Sequence, residues 1–72
     1  MRNVEITKEP VELYKILKFE ALVSSGGEAK TVIDQGLVTV NGETETRKRR
    51  KIRGGDIIQF GHEKLRIHLA KP

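Results

Sequence analysis

Along the first twenty residues, apolar side chains change from a spacing of two to a spacing of three or four. Val4 and Ile6 alternate with polar residues, which predicts a short β-strand. A helix is then predicted from about residue 10 to about residue 19, because Pro10 is favourable at the first helical position, where its missing N–H group would be unpaired anyway. The inward positions of this helix are Leu13, Ile16, Leu17 and, at the margin, Tyr14.

A second helix has clearer boundaries. Ser25 and Glu28 have the spacing of a capping box, in which each side chain accepts a hydrogen bond from a backbone N–H group at the start of a helix. Gly36 is a favourable residue for ending this helix, because glycine tolerates the left-handed conformation of a C-terminal cap. The apolar positions in between are Ala29, Val32 and Ile33.

The rest of the chain predicts two hairpins. Residues 38–40 lead into Asn41 and Gly42, a pair that favours a two-residue hairpin turn because both residues tolerate positive φ, and residues 43–46 are the expected returning strand. Strands at 57–60 and 65–69 flank a second turn. The sequence therefore predicts a single α+β domain, with two helices packed on a small, mainly antiparallel sheet.

Between the two hairpins, six of seven consecutive residues are basic. These six residues are Arg47, Lys48, Arg49, Arg50, Lys51 and Arg53. The one apolar residue of the run, Ile52, is expected to anchor it in the core. Because strand-like segments flank residues 47–53 on both sides, we expect this basic segment to be a fixed surface. Its central side chains, Arg49 and Arg50, are expected to be solvated.

The charge distribution suggests a polyanionic partner. The net charge is +4, yet residues 1–46 hold five Lys or Arg against eight Asp or Glu, whereas residues 47–72 hold nine against two. Crowded positive charges repel one another, so a small domain that keeps them is expected to bind a polyanion. Nucleic acid is the favoured partner. An acidic protein, a membrane surface, a nuclear-localisation signal and no role at all remain alternatives.

The start of the second helix is another candidate for phosphate binding. Gly26 and Gly27 leave its unpaired N–H groups unshielded, and the helix dipole adds positive potential there. Lys30 is expected either to contact a phosphate or to pair weakly with Asp34. The alternative is that Ser25 only caps the helix and the glycines only shape a turn, and for these residues alone that alternative is the stronger one.

Several function classes are disfavoured. A chain of 72 residues has room for one modest core and one binding face, which argues against an enzyme that encloses its substrate. Cysteine is absent, and His62 and His68 have no acidic neighbours at ligand spacing, so we expect neither a metal nor a cofactor. No apolar run approaches a signal sequence or a membrane span. We expect a cytoplasmic monomer with no catalytic residues, no membrane partner and no small-molecule substrate.

Three motifs in this order resemble the S4 RNA-binding domain. They are Ser25-Gly26-Gly27-Glu28-Ala29-Lys30, Gly36-Leu37-Val38-Thr39-Val40-Asn41-Gly42 and Gly55-Asp56-Ile57-Ile58. The resemblance covers about residues 10–60. The family pattern usually has Arg and Ser where this chain has Gly26 and Gly27, and the glycine version is similar to stand-alone bacterial S4-like proteins of the YbcJ and YaaA type.

The resemblance implies a fold and a binding surface. It implies a non-catalytic module that binds structured RNA by phosphate and shape contacts, with ribosomal RNA, transfer RNA and small RNA all left open. An interaction module that docks on an acidic protein is the alternative function. The implied RNA-binding residues are Ser25, Gly26, Gly27, Lys30, Arg47, Lys48, Arg49, Arg50, Lys51 and Arg53.

Overall fold

The computed structural model describes residues 1–70, which form two helices and two sheets. The helices are α1 (Leu13–Phe19) and α2 (Gly26–Asp34). The strands are β1 (Arg2–Ile6), β2 (Val11–Glu12), β3 (Val38–Val40), β4 (Glu43–Thr44), β5 (Lys51–Ile52), β6 (Ile57–Phe60) and β7 (Glu63–Leu69). No helix in this part of the chain is long and apolar enough to cross a lipid bilayer.

The larger sheet has the strand order β1-β7-β6-β3-β4. β1 runs parallel to β7, and the other neighbouring pairs are antiparallel. β2 and β5 form a separate antiparallel pair. The predicted α+β class, with two helices on a small and mainly antiparallel sheet, is confirmed.

One face of the larger sheet packs against the helices, because alternate strand residues are apolar. The core residues are Val4, Ile6, Leu13, Ile16, Leu17, Val23, Ala29, Ile33, Val38, Val40, Ile52, Ile58, Leu65 and Ile67. Ile52 is completely buried, which confirms that it anchors the basic segment.

The predicted turn between β3 and β4 is also confirmed. Asn41 and Gly42 have φ values of 54° and 85°, and Val40 pairs with Glu43 across the turn. The side chain of Asn41 connects this turn to the beginning of β6, because its amide N–H donates to Asp56 Oδ1 at 3.0 Å and its Oδ1 accepts from the Ile57 N–H at 2.9 Å. The hairpin is therefore fixed to the segment that follows the basic residues.

The returning strand is shorter than expected. The prediction extended it over residues 43–46, whereas β4 ends at Thr44. The chain leaves the strand at Glu45, whose carboxylate is buried and bound to arginine side chains. These contacts, with arginines two and five residues further along the chain, hold it in a turn that strand propensity does not reveal.

The predicted start of the first helix is wrong. Pro10 precedes the helix, which begins at Leu13, because Val11 and Glu12 pair as a strand with β5. Glu12 occupies the cap position without a side-chain cap. The first N–H groups of α1 instead donate to carbonyl oxygens of the basic segment. Leu13 N–H donates to the Arg50 carbonyl at 2.9 Å, and the next residue donates to the Lys48 carbonyl.

The boundaries of α2 agree with the sequence. Ser25 Oγ accepts from the Glu28 N–H at 3.1 Å, while the Glu28 carboxylate accepts from the Ser24 N–H at 2.6 Å. The predicted reciprocal cap is therefore formed, except that Glu28 accepts from the N–H group of Ser24 and not from that of Ser25. Gly36, with φ 76°, ends the helix and donates its N–H to the Ile33 carbonyl at 3.0 Å.

The second hairpin is tighter than expected. The prediction placed its last strand at 65–69, whereas β7 begins at Glu63, which pairs with Phe60. Only Gly61 and His62 form the turn. Because Glu63 and Lys64 are charged, the hydrophobic pattern does not reveal the first two residues of β7.

Replacing Ile52 with alanine tests whether the basic segment depends on the core. We expect Ile52→Ala to lower the free energy of unfolding by about 2 to 5 kcal/mol, because a completely buried side chain leaves a cavity when it is truncated. The exposed neighbour provides the control, and Arg53→Ala should change that free energy by less than about 0.5 kcal/mol. Urea unfolding measures both, and equal effects would contradict the anchoring role of Ile52.

Candidate nucleic-acid interface

A buried carboxylate organises the beginning of the basic segment. Glu45 is the buried charged residue of residues 1–70, with 6% of its surface exposed. Its Oε2 accepts from the Arg47 N–H at 2.9 Å and from Arg47 Nε at 3.0 Å. Its Oε1 accepts from Arg47 Nη2 at 3.0 Å and from Arg50 Nη1 at 2.8 Å. One carboxylate therefore fixes two arginines and the turn between them.

These hydrogen bonds keep Glu45 ionised. The side-chain bond from Arg47 contributes most to lowering the pKa of Glu45 to about 2, and it outweighs burial, which acts in the opposite direction. Arg50 adds to the same effect. In return, the carboxylate raises the pKa of Arg47. The pair is thus charged on both sides over the whole neutral range.

Glu45, Arg47 and Arg50 together form a clamp. Its two arginines differ in how exposed they are, and therefore in how accessible they are to a ligand. The side chain of Arg47 is 74% exposed, so one face of its guanidinium remains open to solvent. The side chain of Arg50 is only 33% exposed and points its Nη1 at Glu45. The expectation of a solvated side chain is therefore wrong for Arg50, because the carboxylate holds it against the fold.

The remaining basic side chains are more accessible. Arg49 is 64% exposed, and its Nε lies 3.9 Å from the Glu12 carboxylate, a long contact near the surface. Lys48, Lys51 and Arg53 are exposed, and none of the ion pairs within residues 1–70 includes them. A shallow concave surface is lined by Arg47, Arg49, Arg50 and Lys51. The segment therefore offers a concave, positively charged surface.

The amino end of α2 is open to solvent at its glycines. Gly27 is exposed, and a Cβ atom added there would meet only Ser25 Oγ, at 3.8 Å. Gly26 is half-buried, and a Cβ atom there would lie 3.9 Å from the ring of Tyr14. Within the described chain, neither glycine N–H donates to an acceptor. These donors are available to an anion.

Tyr14 lies between the two candidate elements. Its backbone N–H donates to the Lys48 carbonyl at 3.1 Å, which fixes the basic segment to α1. Its ring lies beside Gly26, 3.9 Å from where a Cβ atom would be, and the Lys30 ammonium lies 4.7 Å from the ring centroid. The structure therefore brings residues 47–53 and the start of α2 to the same residue of α1.

The structure tests one of the two expectations for Lys30, its pairing with Asp34. Among the ion pairs of residues 1–70, none joins Lys30 to Asp34, and the ammonium lies over the Tyr14 ring instead. Lys30 is half-buried.

Sequence reasoning missed the positioning roles of Glu45 and Tyr14. For Glu45 a signal existed, since an acidic residue lies two positions before Arg47 and five before Arg50. For Tyr14 the pattern predicted only marginal burial. Its backbone bond depends on how α1 meets the basic segment, and its ring contacts depend on how α1 packs against α2. No local motif records either contact.

Replacing Glu45 with glutamine tests the clamp through its pH dependence. Because the folded-state pKa of Glu45 lies below its ordinary value of 4.5, its carboxylate stabilises the fold above that pH, and this contribution is lost as the pH falls towards about 2. At neutral pH we expect Glu45→Gln to lower the free energy of unfolding by about 2 kcal/mol, because it removes charged hydrogen bonds. Urea unfolding across this range should show the difference from wild type shrinking in acid.

Glu43→Gln is the matched control for that measurement. Glu43 is exposed on β4, the strand directly before Glu45, so its substitution removes the same charge without changing a residue of the clamp. We expect this variant to keep the acid dependence of wild type. A Glu45→Gln variant with the same acid dependence as wild type would show that the clamp does not stabilise the fold.

Comparisons with known proteins agree with the motifs. The family model of the S4 domain matches residues 4–68. The "Putative RNA-binding protein YbcJ" of Escherichia coli (strain K12) is 40% identical over 68 residues, which are 93% of this chain and 97% of that protein. The "Probable ribosome maturation protein RlbA" of Bacillus subtilis (strain 168) is 34% identical over 57 residues, which are 79% of this chain and 80% of that protein.

Two solved structures share the fold. The solution structure of YbcJ from E. coli, described as revealing an alfaL motif involved in RNA-binding, has a TM-score of 0.73 at 38% identity and covers 94% of this chain and 87% of that chain. A crystal structure of pseudouridylate synthase has a TM-score of 0.69 at 27% identity, but the match covers 78% of this chain and only 24% of the enzyme. The sequence and structural matches together show that this chain belongs to the S4 domain family.

Proposed function

We propose that the protein is a non-catalytic module that binds structured RNA, with residues 47–53 and the start of α2 as one continuous phosphate-binding surface. The observation that supports this proposal is that both elements contact Tyr14, residues 47–53 through its backbone N–H and the start of α2 through its ring. The names of two relatives, one RNA-binding and one concerned with ribosome maturation, support RNA as the ligand.

The residues of the proposed surface are those implied by the sequence. They are Ser25, Gly26, Gly27, Lys30, Arg47, Lys48, Arg49, Arg50, Lys51 and Arg53. The clamp changes the roles of two of them. Arg47 presents a fixed guanidinium with an exposed face, whereas Arg50 acts mainly through Glu45, by holding the turn in shape.

The geometry favours contacts with the RNA backbone. Arginine side chains can hydrogen-bond two phosphate oxygens at once, and unpaired N–H groups at a helix start can donate to a further phosphate. The major groove of an A-form stem is too narrow for side chains to read, so phosphates and 2′-hydroxyl groups beside a stem or loop are the accessible partners. Recognition is therefore expected to depend on shape more than on base sequence.

Rigidity favours binding by this surface. A flexible basic loop would lose side-chain and backbone freedom on binding, which weakens affinity. Here the turn is fixed before binding by Glu45, by Ile52 in the core and by the carbonyl contacts to α1. The repulsion among the basic side chains is also relieved when phosphates arrive.

Salt dependence tests the proposal. If about five phosphates are neutralised, the logarithm of the association constant should fall against the logarithm of salt concentration with a slope of about −3.5 to −4.5. A fourfold rise in salt should then weaken binding about 100-fold to 500-fold. In Lys48→Ala/Arg49→Ala the slope should become shallower by about 2, with a loss of affinity of about tenfold at moderate salt. Fluorescence anisotropy with a labelled ribosomal RNA hairpin measures these values.

A charge-matched variant is the control. Lys64→Ala/Arg66→Ala removes the same two charges from exposed positions of β7, and we expect both the affinity and the slope to stay close to wild type. Equal losses in the two variants would mean that only net charge matters. Competition by polyglutamate as strong as by RNA would favour an acidic protein as the partner, and a duplex DNA competitor tests preference for RNA.

A further inference from the structure

We infer that Tyr14 is a positioning residue that holds the Lys30 ammonium in place for a phosphate and couples the start of α2 to the basic segment. The inference rests on the proposed function, because it assigns a role within the same surface. It also adds a residue that no sequence motif of the chain includes.

The backbone of Tyr14 provides the first half of the coupling. Tyr14 is the second residue of α1, and its N–H donates to the Lys48 carbonyl at 3.1 Å, next to the Leu13 contact with Arg50. Any side chain except proline would keep this bond. The tie to the basic segment is therefore independent of the ring, and the ring can be changed separately.

The ring of Tyr14 provides the second half. It is half-buried against α2, with its edge 3.9 Å from where a Gly26 Cβ would lie. The Lys30 ammonium is 4.7 Å from the ring centroid, within the range of a cation–π contact. Lys15 is the other ammonium near this ring, but it lies 6.0 Å away and pairs with Glu12 at 3.3 Å. Lys30 is thus the cation that the ring holds.

This contact should matter for binding because a free lysine loses rotamer freedom when it contacts a phosphate. With its ammonium against the ring, Lys30 has lost part of that freedom already, while its N–H groups on the side away from the ring can still donate. The N–H groups of Gly26 and Gly27 lie one turn earlier on the same helix. Tyr14 therefore keeps the lysine beside these donors.

A double-mutant cycle with a labelled RNA hairpin tests the inference on the full chain. We expect Tyr14→Leu to weaken binding about twofold to fivefold, because it retains the apolar bulk and the backbone bond but removes the aromatic face. Within residues 1–70 the Tyr14 hydroxyl makes no hydrogen bond, so Tyr14→Phe should bind as wild type does. In a Lys30→Met background, Tyr14→Leu should cause no further loss, because both changes remove one interaction.

Several results would overturn the inference. They are wild-type affinity in Tyr14→Leu, an unaffected affinity in Lys30→Met, and independent losses that multiply in the double variant. Failure of the wild-type chain to bind the hairpin would instead refute the proposed function.

A spectroscopic measurement on the wild type covers the case in which Tyr14→Leu fails to fold. The ε-methylene protons of Lys30 should resonate upfield because the ammonium group next to them lies over the ring, and they should remain upfield in the RNA complex. Ordinary lysine shifts in the free chain, or a loss of the upfield shift on RNA binding, would contradict the positioning role.

Discussion

The contact of the Glu45 carboxylate with two arginines is the interaction on which the proposed binding surface depends. Six basic residues in seven positions repel one another, and a loop of this composition would not hold a fixed shape alone. Glu45 offsets part of that repulsion at the point where the chain leaves β4. The depressed pKa of its carboxyl keeps the counter-charge present across the neutral range.

The clamp also explains how the first helix begins. With the turn fixed by Glu45, the carbonyl groups of Lys48 and Arg50 face the first N–H groups of α1 and satisfy them without a capping side chain. At the other end, Asp56 accepts from the Arg53 N–H at 2.9 Å and from the amide of Asn41. The basic segment is therefore held at its start by Glu45, in its middle by the carbonyl contacts with α1, and at its end by Asp56 and the buried Ile52.

Local sequence signals predicted local structure well. The Asn41-Gly42 turn and the limits of α2 follow from backbone conformation and capping, which depend on neighbouring residues only. Errors arose where a strand partner or a side-chain ion pair decides the outcome. Val11 and Glu12 became a strand because they pair with β5, and the strand after the Asn41 turn stopped early because Glu45 is bound by arginines.

The candidate surface shows the same division. Composition and motif spacing predicted both candidate phosphate-binding elements, because clustered charge and glycines at a helix start can be recognised in the sequence itself. The sequence did not show which basic side chains are bound to a carboxylate and which are exposed, because Arg49 and Arg50 differ only in the contacts that the fold gives them. The contacts of Tyr14 are likewise tertiary, since its backbone N–H bonds to the basic segment and its ring packs against α2.

We propose that residues 47–53 and the start of α2 bind the same sugar-phosphate backbone. The most direct test is an NMR titration of the labelled protein with an RNA hairpin. The account predicts that the amide signals of Gly26 and Gly27 and those of the basic segment shift together and saturate with one dissociation constant, while signals from the outer face of β7 stay in place. Shifts confined to one of the two elements, or two separate saturation curves, would contradict the account.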